Sequence, residues 1–171
     1  MDNLIKTRKY EAENIGGKTI LRIYDTIEMN DYNMENRVKV IAYLKNLDLM
    51  DVANQFGISQ KNNFLRRLRA EKLSFAEQRK IADILGVTIK NVIILKNGRI
   101  VEIDSSRNLV AELCRWMGLS ISDIAENFGV TRQALNERMN RDKFSCDDLK
   151  RIAAFADATY NNYFEFDGIR L

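Results

Sequence analysis

Residues 120–139, SISDIAENFGVTRQALNERM, decide how this chain folds. The first apolar residues of the stretch recur at steps of three and four, which predicts one face of an α-helix. They are Ile121, Ile124, Ala125 and Phe128. Ser120 and Asp123 can close a capping box at the start of this helix, and Gly129 can end it because glycine takes the left-handed backbone region at little cost. A short helix followed by a tight turn is therefore predicted.

A second helix is predicted directly after that turn. Thr131 can cap its start, and Leu135 and Met139 lie four residues apart on one face. Ala125 stands where the two helices would cross and leaves room for a close approach, so the pattern is typical of a helix-turn-helix. Any short helical hairpin can show the same spacing, but an internal repeat of the chain weighs against that alternative. The polar residues off the apolar face of the second helix are Arg132, Gln133, Asn136 and Arg138.

The composition limits the class of protein. A chain of 171 residues with 46% hydrophobic residues can form one domain or two small ones. No apolar run reaches the roughly 18 residues that span a bilayer, and the first ten residues lack the apolar core of a signal peptide, so we expect a cytoplasmic protein without a membrane partner. Histidine, the commonest general base and metal ligand, is absent, and no phosphate-binding loop or nucleophile motif occurs. The sequence therefore predicts no enzyme, no cofactor and no metal site.

The chain repeats itself from Arg37 onwards. Residues 49–58, LMDVANQFGI, match residues 121–130, ISDIAENFGV, at a shift of 72 positions. Farther along, apolar and capping residues match at a shift of 71, so the first copy carries one extra residue between Ser59 and Phe64. This position is inside or just before the second helix of the first motif. Each copy is therefore predicted to be a compact helical unit.

The order of these motifs resembles a known family. In each copy a helix precedes the pattern D-[IV]-A-x-x-F-G-[IV]-[ST], and a later S-x-x-[DE] cap precedes a helix that contains Ile-Ala. This order resembles the lambda-repressor-like, Cro/XRE-type DNA-binding domain over residues 37–91 and again over 107–161, and the second copy matches better. The resemblance implies a transcriptional regulator of the kind found in phages, plasmids and bacteria. Leu49 and Ile121 depart from the family pattern, which often has a phosphate-binding glutamine at that place.

An apolar run broken by a turn pair follows each copy, and both runs predict β-hairpins. The turn pairs are Asn97-Gly98 and Asp167-Gly168. Isolated hairpins are marginal in water, so we expect these strands to pair with each other, with a strand near residues 19–24, or with a second chain in a homodimer. An alternative is that residues 89–95 continue a helix. The runs that flank the turns are 92–95 with 99–103, and 163–166 with 169–171.

We therefore predict a mostly α-helical protein of two tandem lambda-repressor-like domains, each followed by a short β-hairpin. The first domain with its hairpin covers residues 37–106 and the second covers residues 107–171. Residues 1–36 form an N-terminal extension in which we place one strand. A basic cluster in this extension is interpreted either as an arm that reaches DNA or as a frayed terminus. The cluster consists of Lys6, Arg8 and Lys9.

Charge is distributed unevenly between the copies. Residues 37–91 hold eleven Lys or Arg against five acids, a net charge of +6, whereas residues 107–161 hold eight of each. The first copy should therefore attract a phosphate backbone more strongly, although a solvated helix face would also be charged. Arginine suits the edge of guanine and amides suit that of adenine, and side chains after the recognition helix suit phosphates. The predicted DNA-binding residues are Gln60, Lys61, Asn62, Asn63, Arg66, Arg67 and Arg69 in the first copy, and Arg132, Gln133, Asn136, Arg138, Asn140, Arg141 and Lys143 in the second.

Taken together, the residues and the resemblance predict a sequence-specific, double-stranded DNA-binding transcriptional regulator, such as a phage or mobile-element repressor. Two copies in one chain would present two recognition helices to successive major grooves, about 34 Å apart. The alternative is a protein-binding adaptor or inhibitor built on the same fold, which the neutral second copy favours because a fold does not fix a function. The operator sequence and the choice between repression and activation are left open.

Overall fold

The computed structural model describes residues 4–15, 18–29 and 33–171. This part of the chain is mostly helical, with a small antiparallel sheet and a separate two-stranded ribbon. The elements in chain order are β1 (Leu4–Ile15), β2 (Lys18–Met29), α1 (Met34–Leu44), α2 (Leu49–Phe56), α3 (Lys61–Arg69), α4 (Phe75–Leu85), β3 (Thr88–Ile94), β4 (Ile100–Ile103), α5 (Ser106–Met117), α6 (Ile121–Asn127), α7 (Arg132–Asn140), α8 (Cys146–Phe155), β5 (Thr159–Phe166) and β6 (Ile169–Arg170).

The ribbon near the N-terminus joins β1 to β2 in antiparallel pairing, from Leu4 opposite Met29 to Ile15 opposite Lys18. The strand predicted near residues 19–24 is confirmed, and it extends over all of β2. The interpretation of the basic cluster as a frayed terminus is wrong, because Lys6, Arg8 and Lys9 lie within β1. Strand β1 itself was not predicted from the sequence.

The helices repeat in order and in spacing. We call α1–α4 the first unit and α5–α8 the second unit. Each of α5 and α6 begins 72 residues after its counterpart, and each of α7 and α8 begins 71 residues after its counterpart. The extra residue of the first copy therefore lies in the turn before α3, between Gly57 and Gln60, and the predicted position between Ser59 and Phe64 is wrong because Gln60 holds the N-cap place of Thr131. Asn33 caps α1, which begins at Met34, three residues before the predicted start of the first domain.

Each unit buries one apolar face of each helix, and the strand that follows each unit also places a side chain in the core of the other. Phe164 of β5 lies in the core of the first unit, whereas Ile93 of β3 lies in that of the second. Each of these side chains is 0% exposed. Each strand therefore contributes to both cores, because Tyr160 of β5 also lies in the core of the second unit and Ile89 of β3 packs against that of the first.

Both strands reach both cores because β3 and β5 pair in the middle of a sheet of order β4-β3-β5-β6. Asn91 lies opposite Asn162, and these two residues hold equivalent positions in the repeat. The other pairs obey the same rule, since Thr88 faces Glu165 and their counterparts Thr159 and Ile94 face each other. A pseudo-twofold axis therefore passes between Asn91 and Asn162.

Both predicted hairpins are confirmed, and residues 89–95 form a strand rather than a helix. The loop of the first hairpin has three residues and is closed by hydrogen bonding from the Leu95 amide to the Arg99 carbonyl at 2.9 Å. The second hairpin turns through Asp167 and Gly168, whose φ angles are 47° and 77°. Positive φ at both central residues matches the right-handed twist of the flanking strands.

Candidate nucleic-acid interface

The first helix and the turn of the second motif follow from local chemistry. The Ser120 hydroxyl accepts a hydrogen bond from the Asp123 amide at 3.1 Å, and the Asp123 carboxylate accepts one from the Ser120 amide at 2.7 Å. Hydrogen bonding of the Asp123 carboxylate to the Ser120 backbone amide, and secondarily to the Ser120 side chain, lowers the pKa of Asp123. Gly129 has a φ of 69° and ends α6, as predicted. Ala125 is buried, as a close crossing of helices requires.

Helix α7, the predicted recognition helix, packs two apolar side chains into the core and is capped at its N-terminus. Leu135 and Met139 are buried, and the Thr131 hydroxyl accepts a hydrogen bond from the Ala134 amide at 3.1 Å. Its first turn carries Arg132 and Gln133, both exposed. The Gln133 amide also donates to the Glu137 carboxylate at 3.3 Å, so it must leave this partner to contact a base.

The remaining predicted residues of the second unit form the far end of α7 and the loop after it. Asn136 is half-buried, whereas Asn140, Arg141 and Lys143 are exposed. The guanidinium of Arg138 lies 5.9 Å from the centre of the Phe144 ring. The structure therefore brings the predicted residues of this unit to one helix and its C-terminal loop.

Helix α3 of the first unit is the counterpart of α7, but the two helices differ at their N-termini. Gln60 occupies the N-cap position without a capping hydrogen bond from its side chain. The side-chain oxygen of Gln60 accepts a hydrogen bond from the side-chain amide of Asn63 at 2.6 Å. The side-chain oxygen of Asn63 in turn accepts one from the guanidinium of Arg66 at 3.2 Å. Lys61 and Asn62 are exposed on the first turn. The extra residue moves Ser59 one place too early to act as the cap that Thr131 provides in the second unit.

Two of the predicted DNA contacts are engaged within the first unit. Arg67 pairs with Glu77 of α4, and Arg69 binds the carboxylate of Glu35 at 2.6 and 3.0 Å. Burial of Glu35 alone would raise its pKa, but hydrogen bonds from Arg69 and Lys39 outweigh burial and hold the pKa below its ordinary value. Both arginines therefore tie α3 to neighbouring helices.

Sequence reasoning missed a pair of cations that fix the phenylalanine before each turn. The ammonium of Lys80 lies 5.4 Å from the centre of the Phe56 ring and donates to the Phe56 carbonyl at 2.9 Å. Its counterpart in the repeat, Arg151, lies 4.7 Å from the centre of the Phe128 ring. The equal spacing of Lys80 and Arg151 in the two copies was the signal that could have revealed them.

No protein-family model, curated protein or solved structure matches the chain. Within residues 33–171 and the two N-terminal strands, no helix is long and apolar enough to cross a membrane, and no cluster of three Cys, Asp or Glu residues could hold a metal ion. The interpretation of the interface therefore depends on the contacts described above.

Proposed function

We propose that this protein is a sequence-specific, double-stranded DNA-binding transcriptional regulator that acts in the cytoplasm. In this proposal each unit is a lambda-repressor-like domain followed by a β-hairpin. The observation that carries it is the pairing of β3 with β5 about the pseudo-twofold axis between Asn91 and Asn162. This pairing gives one chain the symmetry that dimeric helix-turn-helix regulators share with two-half-site operators.

The proposed base contacts come from the first turn of each recognition helix. Arg132 can donate two hydrogen bonds to guanine, and the amide of Gln133 can pair with adenine. In the first unit, Lys61 and Asn62 hold the equivalent places. Because these residue pairs differ, the two halves of the operator should differ in sequence, and the site should be an imperfect palindrome.

The proposed phosphate contacts lie beside the recognition helices. Asn140, Arg141 and Lys143 are exposed after α7, where they can hold the backbone and fix the register. Arg66 is exposed on α3, within residues 37–91, which have a net charge of +6. Attraction to phosphates should therefore be stronger at the first unit, and specificity should depend more on the capped helix of the second.

Selection of bound sequences from a random duplex pool at moderate salt tests the proposal. The expected result is one enriched motif with two unequal halves, centred about one helical turn apart. Binding to the selected duplex is then measured against a scrambled duplex of equal length. Failure to enrich any motif, with equal binding to both duplexes, would overturn the proposed function.

A protein-binding adaptor or inhibitor is the second candidate. The observation that favours it is a pair of apolar side chains exposed at equivalent places, Leu44 at 47% and Trp116 at 36%. The guanidinium of Arg99 stacks 4.0 Å from the centre of the Trp116 ring, a combination that is common in protein interfaces. In that case Trp116→Ala would abolish binding to the protein partner, whereas Arg132→Ala would have no effect on it.

A further inference from the structure

A cavity of about 280 Å³ lies between the two units. The first unit contributes Met34, Arg37 and Leu73 to its wall, and α8 and β5 contribute Cys146, Lys150 and Tyr160. Its volume is near the lower end of the range that is typical of small-molecule sites. Because its wall comes from both units, a bound molecule would contact both.

The cavity lies where the pseudo-twofold symmetry is broken. Cys146 is the counterpart of Phe75, and Arg37 is the counterpart of Leu109, at the shifts of 71 and 72 that relate the helices. Phe75 and Leu109 are fully buried and belong to the apolar core of the second unit. The side of the interface that carries the cavity thus has a smaller side chain and a charged one where the other side has two large apolar ones.

The polar groups around the cavity are held in place by one another. Arg37, only 4% exposed, donates to the carbonyl oxygen of Asn162 at 2.7 Å and to its side-chain oxygen at 2.8 Å. The Asn162 amide donates to Gln78 at 3.2 Å, and the hydroxyl of Tyr160 donates to Asn91. A network of this kind fixes the positions of the groups before any ligand binds, which lowers the ordering cost of binding.

The charges of the wall favour a negative ligand. Among the wall residues that the structure describes, Arg37 and Lys150 are cations, and Glu71, which forms an ion pair with Lys150, is the acid. Burial raises the pKa of the Cys146 thiol to about 11 and raises that of the Tyr160 hydroxyl as well, so both groups are neutral at physiological pH. Neither adds a negative charge that would repel an anion.

We propose that this cavity binds a small organic anion. Its carboxylate would lie near the cations of Arg37 and Lys150, and its apolar part would pack against Met34, Leu73 and the ring of Tyr160. The site does not depend on the proposed DNA binding, because it is built from the interface between the units and not from the recognition helices.

Titration calorimetry of the full chain tests the site with benzoate, succinate and inorganic phosphate as anionic probes and benzamide as the neutral counterpart of benzoate. We expect saturable binding of benzoate or succinate at millimolar concentrations and weaker binding of benzamide. Lys150→Gln should weaken binding of the same probe by about fivefold, as expected for one partly exposed charge. Cys146→Phe, which places the side chain of Phe75 at the equivalent position, should abolish binding by filling the cavity.

Arg79→Gln is the matched control for Lys150→Gln. Arg79 is the counterpart of Lys150, and it pairs with Asp142 across the interface at 3.5 Å, as Lys150 pairs with Glu71. The control variant therefore loses an equivalent charge and ion pair and should bind the probe as the unmodified chain does. The proposal is overturned if neither benzoate nor succinate binds, if benzamide binds as tightly as benzoate, or if Arg79→Gln weakens binding as much as Lys150→Gln. The Lys150 comparison stands even if Cys146→Phe does not fold.

Discussion

Arg132 is the side chain on which base recognition depends most in the proposed complex. It is exposed at the first position of α7, directly after the capping residue Thr131. Arg132→Ala should weaken binding to the selected duplex by about 1–3 kcal/mol and binding to a scrambled duplex very little, because a lost base contact removes discrimination. Fluorescence anisotropy with both duplexes measures the two effects, and Arg107→Ala, a change of an exposed arginine on α5, is the control. Equal losses on the two duplexes would show that Arg132 does not read bases.

Glu35 makes the stability of the first unit depend on pH. Its folded-state pKa is lowered, so its ion pairs stabilise the fold fully above the ordinary glutamate pKa of about 4.3 and lose this effect as the pH falls through the lowered value. Glu35→Gln should therefore cost about 2 kcal/mol of unfolding free energy at pH 7 and progressively less below about pH 4. Urea unfolding of both proteins across this pH range measures the difference. If the loss of unfolding free energy in Glu35→Gln were the same at every pH, the charge of Glu35 would not contribute to stability.

At the level of elements, the two proposed recognition helices, α3 and α7, differ at their N-cap residues. Thr131 caps α7, whereas Gln60 at the equivalent place leaves α3 without a side-chain cap. Thr131→Ala should destabilise α7 by about 1 kcal/mol, and Gln60→Thr should stabilise α3 by a similar amount. Hydrogen exchange of the amides in each helix measures both changes. If Gln60→Thr lowers protection in α3, the hydrogen bond from Asn63 to Gln60 matters more than the missing cap.

These elements show what local sequence could predict. The capping pattern at Ser120 and the turn at Asp167 were recognised because each acts through residues close to it in the chain. Strand β1 was missed because its stability depends on pairing with β2. Lys80 and Arg151 were missed for a related reason, since their partners Phe56 and Phe128 are more than 20 residues away and only the folded chain brings them together.

Across the whole molecule, the proposed phosphate contacts of both units predict how the affinity for DNA depends on salt. Arg66→Gln in the full chain should flatten the dependence of affinity on salt by about one unit of slope, because it removes one proposed phosphate contact. Arg141→Gln, at a proposed phosphate contact of the second unit, is the comparison and should flatten the slope by about the same amount. An unchanged slope for Arg66→Gln would rule out a phosphate contact by Arg66.

Pairing of the two hairpins was one of the arrangements that the sequence predicted, but the contribution of each strand to the core of the other unit was not. Phe164 and Ile93 each belong to an apolar run, and such a run does not reveal which core receives its side chains. That outcome depends on the register of β3 against β5, which places Asn91 opposite Asn162. Register is a property of the assembled sheet, so it could not be inferred from either hairpin alone.

The shared strands predict a crossed effect of two equivalent substitutions. Phe164 follows the second unit in sequence but lies in the core of the first, so Phe164→Ala should destabilise α1–α4 by about 3–5 kcal/mol. Ile93 follows the first unit but lies in the core of the second, so Ile93→Ala should destabilise α5–α8 by about 2–5 kcal/mol. Native-state hydrogen exchange separates the two cases, because amides of the weakened unit should lose protection first. If Phe164→Ala instead lowers protection in α5–α8 and leaves α1–α4 unchanged, each hairpin packs only on its own unit in solution.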